Sequence, residues 1–326
     1  MRLTTEQIAS IAKGVVRVYE EDGKAVLCRF TKEQEELYKA RSEDFYKKSF
    51  ATAGVTLEFL TDSRELTLGV TIGYGSSRVF FDHSIFVNGK KYASLSSNCA
   101  AGGSFSGTWT LPEGEKKIKI YFPWSVSSKI TELSLTDGAT LTPVKNQKKM
   151  IMFGDSITHG YDASSPEKSY ASRVADALDA EAINKGIGAE VFYAPMADIK
   201  DPIEPDYITV AYGTNDWSKN KKESFEKHCR GFYENLSKNY PNAKIFALTP
   251  IWRHKYGHVN TIGTLDDIEA YINKVANDLP NVIAIRGIEF VPADPTCFSP
   301  DVVHPNDLGF EHYANNLLEE IKKYID

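Results

Sequence analysis

Three short polar clusters carry residue types that could together perform acyl transfer. Gly-Asp-Ser occupies 154–156, directly after the apolar run at 150–153. Gly-Thr-Asn-Asp-Trp occupies 213–217, and Asp-Val-Val-His occupies 301–304. A serine hydroxyl is a weak nucleophile unless a neighbouring base takes its proton, so these clusters matter chemically only if the fold brings them together.

Each cluster supplies a different part of the machinery for cleaving an ester. Ser156 is the candidate nucleophile, and His304 is the candidate base because imidazole changes charge near neutral pH. Asp301, three residues before His304, can reach the other ring nitrogen and hold the required tautomer. The side chain of Asn215 can donate to an oxyanion, and one such donor is typically worth about 10²–10³ in rate.

Each of these residues also has a purely structural interpretation. Ser156 could cap a helix after a strand. Asn215 could form a turn, and Asp301 could be a loop carboxylate. Because all three clusters occur in one chain, the catalytic interpretation is favoured for the serine, the asparagine and the loop carboxylate. Asp155 and Asp216 are predicted to be structural.

The second half of the chain has the pattern of a parallel α/β domain. Apolar runs at 150–153, 207–212, 245–249 and 282–285 alternate with amphipathic segments of helical period. This alternation predicts a three-layer α/β/α sandwich of flavodoxin-like type with right-handed crossovers. The carboxyl ends of parallel strands meet at one edge of the sheet, so the three polar clusters can converge there.

The first half of the chain has the pattern of an all-β domain. Apolar residues alternate at 55–59, 66–72 and 118–122, and Asn-Gly at 88–89 is a strong hairpin signal. Many short alternating strands predict a β-sandwich or jelly roll. We therefore expect an N-terminal β-sandwich domain at 1–145 and a catalytic domain at 146–326.

Composition and charge argue against several classes of function. The chain has 326 residues and a net charge of −6, which gives no support for nucleic-acid or anionic-membrane binding. It has neither an apolar run of 18 residues nor a leader-like N-terminus, so we expect a cytoplasmic protein that does not engage a membrane. The cysteines are scattered and are expected to be reduced thiols: Cys28, Cys99, Cys229 and Cys297. The oligomeric state is left open.

The polar clusters resemble the motifs of the SGNH (GDSL-type) hydrolases. The first block is similar to GDSIT at 154–158, the third to GTND at 213–216 and the last to DVVH at 301–304. The second block, usually N-x-G-x-x-G, is similar to 184–189, where Ala189 replaces the final glycine. Thr158 stands where the nucleophile elbow of α/β-hydrolases requires glycine, so that other family is not matched.

The resemblance implies a role for each matching position. Ser156 would be the nucleophile, His304 the base and Asp301 the residue that orients it. The oxyanion hole would consist of the Ser156 N–H, the N–H of Gly188 or Ala189, and the Asn215 side chain. No metal or other cofactor is implied.

The β-rich first half resembles the jelly roll of two-domain carbohydrate esterases, particularly family 2. The stretch LPEGEKKIKIYFPWS at 111–125 carries this resemblance. It implies a serine esterase that removes acetyl groups from oligosaccharides such as xylo- or manno-oligosaccharides. Two alternatives stay open at this point. One is a thioesterase or lysophospholipase-type hydrolase for longer acyl chains, and the other is a catalytically inactive carbohydrate-binding protein.

Aromatic residues near the predicted strand ends are candidate sugar contacts. Trp217, Trp252 and Tyr161 flank the polar clusters, and exposed rings beside a catalytic serine can stack on sugars. Core packing is the competing interpretation for each ring. His159 is expected to face outward from the helix that follows Ser156.

Overall fold

The computed structural model describes residues 1–98 and 102–325. The chain separates into two compact units. The first comprises Met1–Asn146 with Ser165–Glu167, and the second comprises Gln147–Ser164 with Lys168–Asp326.

The first unit contains two antiparallel sheets, as the alternating pattern predicts. One sheet has the order β1-β4-β9-β6-β7 with β11 paired to β4, and the other has the order β2-β3-β10-β5-β8. The strands are β1 Ala12–Lys13, β2 Arg17–Glu21, β3 Lys24–Cys28, β4 Thr56–Thr61, β5 Glu65–Tyr74, β6 Phe81–Val87, β7 Lys90–Ser97, β8 Ser104–Thr110, β9 Lys116–Tyr121, β10 Val126–Leu135 and β11 Thr142–Pro143. Three helices accompany them: α1 Thr5–Ile11, α2 Lys32–Arg41 and α3 Glu43–Ser49.

The inward residues of both sheets form one hydrophobic core. Phe59 and Ile120 from one sheet join Leu68 and Val70 from the other, and each of these side chains is fully buried. Period-two alternation places these residues on a single face of each strand, so two sheets can bury them against each other. The predicted β-sandwich is confirmed.

Two hairpin turns, of which the sequence pattern predicts the one at 88–89, explain how neighbouring strands reverse. Asn88 and Gly89, between β6 and β7, have φ values of +49° and +77°. Asp22 and Gly23, between β2 and β3, have φ values of +49° and +72°. Positive φ at both central residues is the signature of a type I′ turn, whose twist matches that of the flanking strands.

The second unit is built on a five-stranded parallel sheet. Its strand order is β13-β12-β14-β15-β16. The strands are β12 Lys148–Gly154, β13 Ala180–Gly186, β14 Tyr207–Ala211, β15 Lys244–Leu248 and β16 Val282–Ile285. The helices are α4 Ser156–His159, α5 Tyr170–Ala177, α6 Ala194–Asp198, α7 Thr214–Lys219, α8 Lys222–Asn239, α9 Leu265–Asn277 and α10 Asp307–Ile321.

The strand order makes this unit a three-layer sandwich. The chain moves from β12 to β13 on one side and then returns past β12 to β14, so the direction of winding reverses at β12. Right-handed crossovers then place α5 on one face and α6 to α9 on the other. Helix α10 joins α5, with the rings of Tyr170 and Tyr313 stacked at 4.0 Å. The predicted α/β/α class is confirmed, and ligands of such sheets bind where the winding reverses.

Three of the cysteines, Cys28, Cys229 and Cys297, are buried free thiols, in line with the expectation of reduced cysteines. Cys99 lies outside the described residues. Among the described helices, none combines the length and the apolar character that a membrane crossing requires.

A buried ion pair provides a test of how the second unit is stabilised. Lys185 Nζ lies 2.6 Å from Asp201 Oδ1, and both side chains have no exposed surface. Substituting Asp201→Asn would remove the negative charge that this buried ammonium contacts, and we expect a loss of about 3–5 kcal/mol in unfolding free energy.

The matched control for this variant is an exposed ion pair of the same separation. Lys200 Nζ lies 2.6 Å from Glu204 Oε1, with the side chains 46% and 73% exposed. Glu204→Gln is expected to cost less than about 1 kcal/mol. Urea titrations followed by far-UV circular dichroism measure both effects, and equal midpoint shifts for the two variants would contradict the expectation.

Candidate active site

Ser156 begins helix α4 immediately after strand β12, at the point where the winding of the sheet reverses. Asp155 is the N-cap of this helix, and its Oδ1 accepts a hydrogen bond from Ile157 N at 2.9 Å. A Cβ at Gly154 would lie 2.0 Å from Oγ1 of Thr158, so only glycine lets the strand end this close to the helix. These contacts place the Ser156 hydroxyl at the carboxyl edge of the sheet.

The second sequence block holds α4 in place from the neighbouring strand β13. Asn184 Nδ2 donates to the carbonyl of Thr158 at 2.7 Å, and Asn184 Oδ1 accepts from Gly186 N at 2.8 Å. A Cβ at Gly186 would approach His159 N to 2.3 Å. The asparagine and glycine of this block therefore position the helix that carries Ser156.

The structure brings Ser156, His304 and Asp301 together in one hydrogen-bonded chain. Nε2 of His304 lies 2.7 Å from Oγ of Ser156. Nδ1 of the same ring lies 2.5 Å from Oδ2 of Asp301. Since Asp301 accepts at Nδ1, Nε2 is left free to take the serine proton.

The loop that carries His304 is stabilised by the same carboxylate. Oδ1 of Asp301 accepts from the backbone amides of Val303 and His304 at 2.9 and 3.1 Å. Val302 has a φ of +51°, an uncommon conformation for a β-branched residue, and its carbonyl accepts from His254 N at 2.8 Å. Partial burial acts to raise the pKa of Asp301, but the hydrogen bonds from His304 and these amides outweigh it and hold the pKa well below its usual range.

The candidate oxyanion donors differ in the hydrogen bonds that they already make. The Gly188 amide donates to Nδ1 of His159 at 3.3 Å, so this N–H is engaged elsewhere. Ala189 has a φ of +74°, and its N–H makes no hydrogen bond within the part of the chain that is described. Asn215 Nδ2 donates to the carbonyl of Glu190 at 3.0 Å, which leaves the second hydrogen of this amide for a ligand.

Two buried carboxylates support the loops around Ser156. Asp216 accepts from Phe192 N, with N–O distances of 3.2 and 3.3 Å, and from Asn220 Nδ2 at 2.9 Å. Burial raises the pKa of Asp216 to about 7, against the opposing effect of these hydrogen bonds. Burial likewise raises the pKa of Asp155 to about 6. Both residues have the structural contacts that the sequence predicts.

The aromatic residues predicted to meet a sugar differ in exposure. Trp217 is 4% exposed, its indole N–H donates to Gly263 O at 3.0 Å, and Arg253 lies over its ring at 5.3 Å. Tyr161 is also 4% exposed, and its ring stacks on His304 at 5.6 Å. The burial of both rings favours the core-packing interpretation, and their contact with a sugar stays a prediction. Trp252 is half-buried and retains an accessible surface.

His159 lies inside the second unit, which contradicts the expected outward orientation. Its side chain is 1% exposed and accepts the hydrogen bond from Gly188 N. The helical turn of α4 directs it toward β13, so the outward direction inferred from spacing alone is wrong.

Asp162 is a site residue that the sequence interpretation missed. Its Oδ2 lies 3.8 Å from Nδ1 of His304, the same nitrogen that Asp301 contacts. The one available signal was an aspartate two residues after Gly160, which ends α4, and that signal is common in ordinary turns.

Asp162, Asp301 and His304 form a group whose ligand-type atoms lie within 4.8 Å of one another. Side chains of these types could hold a cation. Nδ1 of His304 is already hydrogen-bonded to Asp301, however, and the expectation that no metal is required stays a prediction.

Comparison with known proteins relates the second half of the sequence to a family. Residues 152–312 match the GDSL-like Lipase/Acylhydrolase family. This part of the chain belongs to that family. A multidomain esterase of Ruminococcus flavefaciens is 31% identical over 123 residues. That match covers 37% of this chain and 16% of the esterase, so the chain corresponds to a small part of that relative.

Solved structures share the fold over most of the chain. A salicylyl-acyltransferase, SsfX3, from a tetracycline biosynthetic pathway has a TM-score of 0.83 at 23% identity, covering 96% of this chain and 94% of that one. A family two carbohydrate esterase from Clostridium thermocellum, in complex with cellohexaose, has a TM-score of 0.65 at 20% identity and covers 84% and 93%. The acetyl xylan esterase Est2A from Butyrivibrio proteoclasticus has a TM-score of 0.64 at 16% identity and covers 84% and 91%. The fold of a β domain joined to a GDSL-type domain is therefore shared with these proteins.

The raised pKa of Asp216 predicts how stability changes with pH. The folded-state pKa of about 7 lies above the value of about 3.9 for an unfolded aspartate. The associated stability is therefore fully present below about pH 4 and is lost as the pH rises through about 7. Asp216→Asn resembles the protonated side chain, so the variant should lose less unfolding free energy than the wild type between pH 5 and pH 8.

Urea midpoints at pH 5, 6.5 and 8 measure this difference. Asp198→Asn, at an exposed position of α6, is the control and should follow the wild-type pH profile. Parallel profiles for the wild type and Asp216→Asn would contradict the prediction.

Proposed function

We propose that this chain is a serine esterase that removes acetyl groups from O-acetylated oligosaccharides, such as xylo- or manno-oligosaccharides. The observation that carries the proposal is the hydrogen-bonded chain from Ser156 Oγ through the His304 ring to Asp301, with distances of 2.7 and 2.5 Å. A nucleophile, a base and an orienting carboxylate in this order are the groups that ester cleavage through an acyl-enzyme requires.

The proposed reaction begins with attack of Ser156 Oγ on the ester carbonyl carbon. Nε2 of His304 takes the serine proton as the new C–O bond forms. The tetrahedral intermediate then collapses, and the sugar oxygen leaves with the proton from His304. Water then attacks the acyl carbon and gives a proton to the same nitrogen. The bond from this carbon to Ser156 Oγ breaks, the serine oxygen takes the proton back from His304, and acetate is released. Asp301 accepts the hydrogen bond from Nδ1–H throughout and stabilises the charged ring without taking its proton.

Three N–H donors are proposed to stabilise the oxyanion. The backbone N–H of Ser156 lies in the first turn of α4, where amides have no intrahelical partner. The N–H of Ala189 is the second, in preference to that of Gly188, which is bonded to His159. The third donor is the side-chain amide of Asn215. One hydrogen of this amide is bonded to the carbonyl of Glu190, and the other would donate to the oxyanion.

The substrate class is supported by the proteins that share this fold. One is described as an acetyl xylan esterase, and another was solved with cellohexaose bound. Half-buried Trp252, whose ring lies 5.3 Å from that of Phe298, offers an aromatic surface on which a sugar could stack. Acetyl is preferred over longer acyl groups on the strength of the family resemblance.

The decisive experiment is release of acetate from acetylated xylo- and manno-oligosaccharides by the wild type and by Ser156→Ala. We expect turnover by the wild type and a fall of at least about 10⁴-fold in the variant, because the covalent route is removed. Acetyl and octanoyl nitrophenyl esters assayed in parallel distinguish a short-acyl esterase from a lipase-type enzyme.

Each other outcome of this experiment favours a different function. Cleavage of nitrophenyl esters through Ser156 without acetate release would keep the hydrolase and reject the sugar. Faster cleavage of octanoyl esters would favour a long-chain hydrolase. Oligosaccharide binding without any turnover would favour a carbohydrate-binding protein.

A second variant tests the proposed oxyanion donor. Asn215→Ala should lower kcat about 10²–10³-fold with little change in KM, because the lost hydrogen bond forms mainly in the transition state. Asn235→Ala is the matched control, since its Nδ2 also donates to a backbone carbonyl, that of Ala194 at 3.1 Å. A raised KM with unchanged kcat would assign Asn215 to substrate binding instead.

A further inference from the structure

Two carboxylates face the same nitrogen of His304. Asp301 Oδ2 lies 2.5 Å from Nδ1, and Asp162 Oδ2 lies 3.8 Å from it. The Asp301 side chain is 41% exposed, whereas that of Asp162 is 15% exposed. The farther carboxylate is therefore the better shielded from water, which strengthens its field at the ring.

The backbone at Asp162 is in the uncommon left-handed conformation. Gly160 is the C-cap of helix α4, and two residues later Asp162 has a φ of +71°. Left-handed conformations are costly for most residues, although Asp and Asn tolerate them best. Tyr161, between these two positions, stacks its ring on that of His304 at 5.6 Å. Two consecutive residues thus contact the His304 ring, Tyr161 at its face and Asp162 near Nδ1.

The segments that carry the two residues are tied together. Ser164, two residues after Asp162, donates its N–H and its Oγ–H to the carboxylate of Asp307 at 2.8 and 2.6 Å. Asp307 lies three residues after His304, at the start of α10, and also accepts from Lys168 Nζ at 2.8 Å. These bonds join the segment that follows Asp162 to the segment that follows His304.

We infer that Asp162 is a second positioning carboxylate for His304, sharing with Asp301 the tasks of holding the ring orientation and balancing its charge. The inference rests on the proposed function, because it assigns Asp162 to the proton transfer between Ser156 and His304. A distance of 3.8 Å is a charge contact and not a hydrogen bond.

The other groups around the imidazole do not repeat this role. Ser156 contacts Nε2 on the opposite side of the ring, and Tyr161 lies against its face. Asp155 acts on His304 through its charge from the N-cap of α4. Arg253 acts electrostatically on Asp155 and Asp301. Within the described residues, the charge contacts at Nδ1 are those of the two aspartates.

The experiment compares Asp162→Asn, Asp301→Ser and the double variant. Asparagine tolerates the left-handed backbone at 162, and a serine hydroxyl at 301 can still accept the loop amides in an ST turn. Asp179→Asn is the matched control, because Asp179 also has a positive φ, of +46°, but an exposed side chain. Thermal melts of every variant verify that it is folded.

The kinetic readout is kcat/KM for an acetyl ester as a function of pH. Removal of the orienting carboxylate function from a serine protease lowers turnover roughly 10⁴-fold. We expect Asp301→Ser alone to lower kcat/KM far less than this, and the double variant to lower kcat/KM by about this factor. Asp162→Asn should move the acidic limb of the profile to lower pH, because removal of a nearby negative charge favours the neutral ring. Asp179→Asn should match the wild type.

The spectroscopic readout is the tautomer of His304, from the ¹⁵N shifts of its ring nitrogens at a pH where the ring is neutral. We expect the proton on Nδ1 in the wild type and in each single variant, and a mixture of tautomers in the double variant. This readout does not depend on activity, so an inactive wild type would reject the proposed function while still testing the role of Asp162.

The inference would be overturned if Asp301→Ser lost as much activity as the double variant and Asp162→Asn kept the wild-type pH profile. It would also be overturned if the tautomer changed completely in Asp301→Ser alone. In either case Asp301 would be the single orienting carboxylate.

Discussion

The close approach of helix α4 to strands β12 and β13 is the constraint on which the candidate site depends. Gly154 and Gly186 leave room for this approach, since a Cβ at either position would overlap α4. Asn184 then fastens the carbonyl of Thr158 to the neighbouring strand. With α4 seated there, Ser156 lies at the carboxyl edge of the sheet where the winding reverses, and the loop of His304 can reach it across that edge.

Carboxylates organise the loops around this serine, and their environments separate their roles. Asp155 and Asp216 are buried and hydrogen-bond backbone amides, and burial raises the pKa of each. Asp301 is partly exposed, accepts hydrogen bonds from a histidine and two amides, and has a lowered pKa. The same functional group thus serves as a scaffold where water is excluded and as an ionised partner of His304 where hydrogen bonds stabilise its charge.

Much of the fold follows from local pattern. The alternation around Phe59 and the Asn-Gly pair at 88–89 predict antiparallel strands and their turn, because these features depend on a few adjacent residues. The apolar run at 150–153 predicts a buried parallel strand for the same reason. Exposure is harder to predict, as Trp217 and His159 show. Each side chain contacts a segment that is distant in sequence, and the local hydrophobic pattern does not predict such a contact.

The residue types of the candidate site, their order along the chain and the two classes of domain can be predicted without the structure. This is because motifs and periodicity are short-range properties of the chain. The hydrogen bonds of the candidate oxyanion amides depend on the tertiary structure, in which the Gly188 N–H donates to His159 and the Ala189 N–H makes no hydrogen bond among the described residues. The tertiary structure also decided that Asp162 would lie beside His304, 142 positions away in sequence. Such contacts depend on the order of the strands in the sheet and on the conformation of the loops at its edge. Both are set by interactions between residues far apart in sequence, which short motifs do not describe.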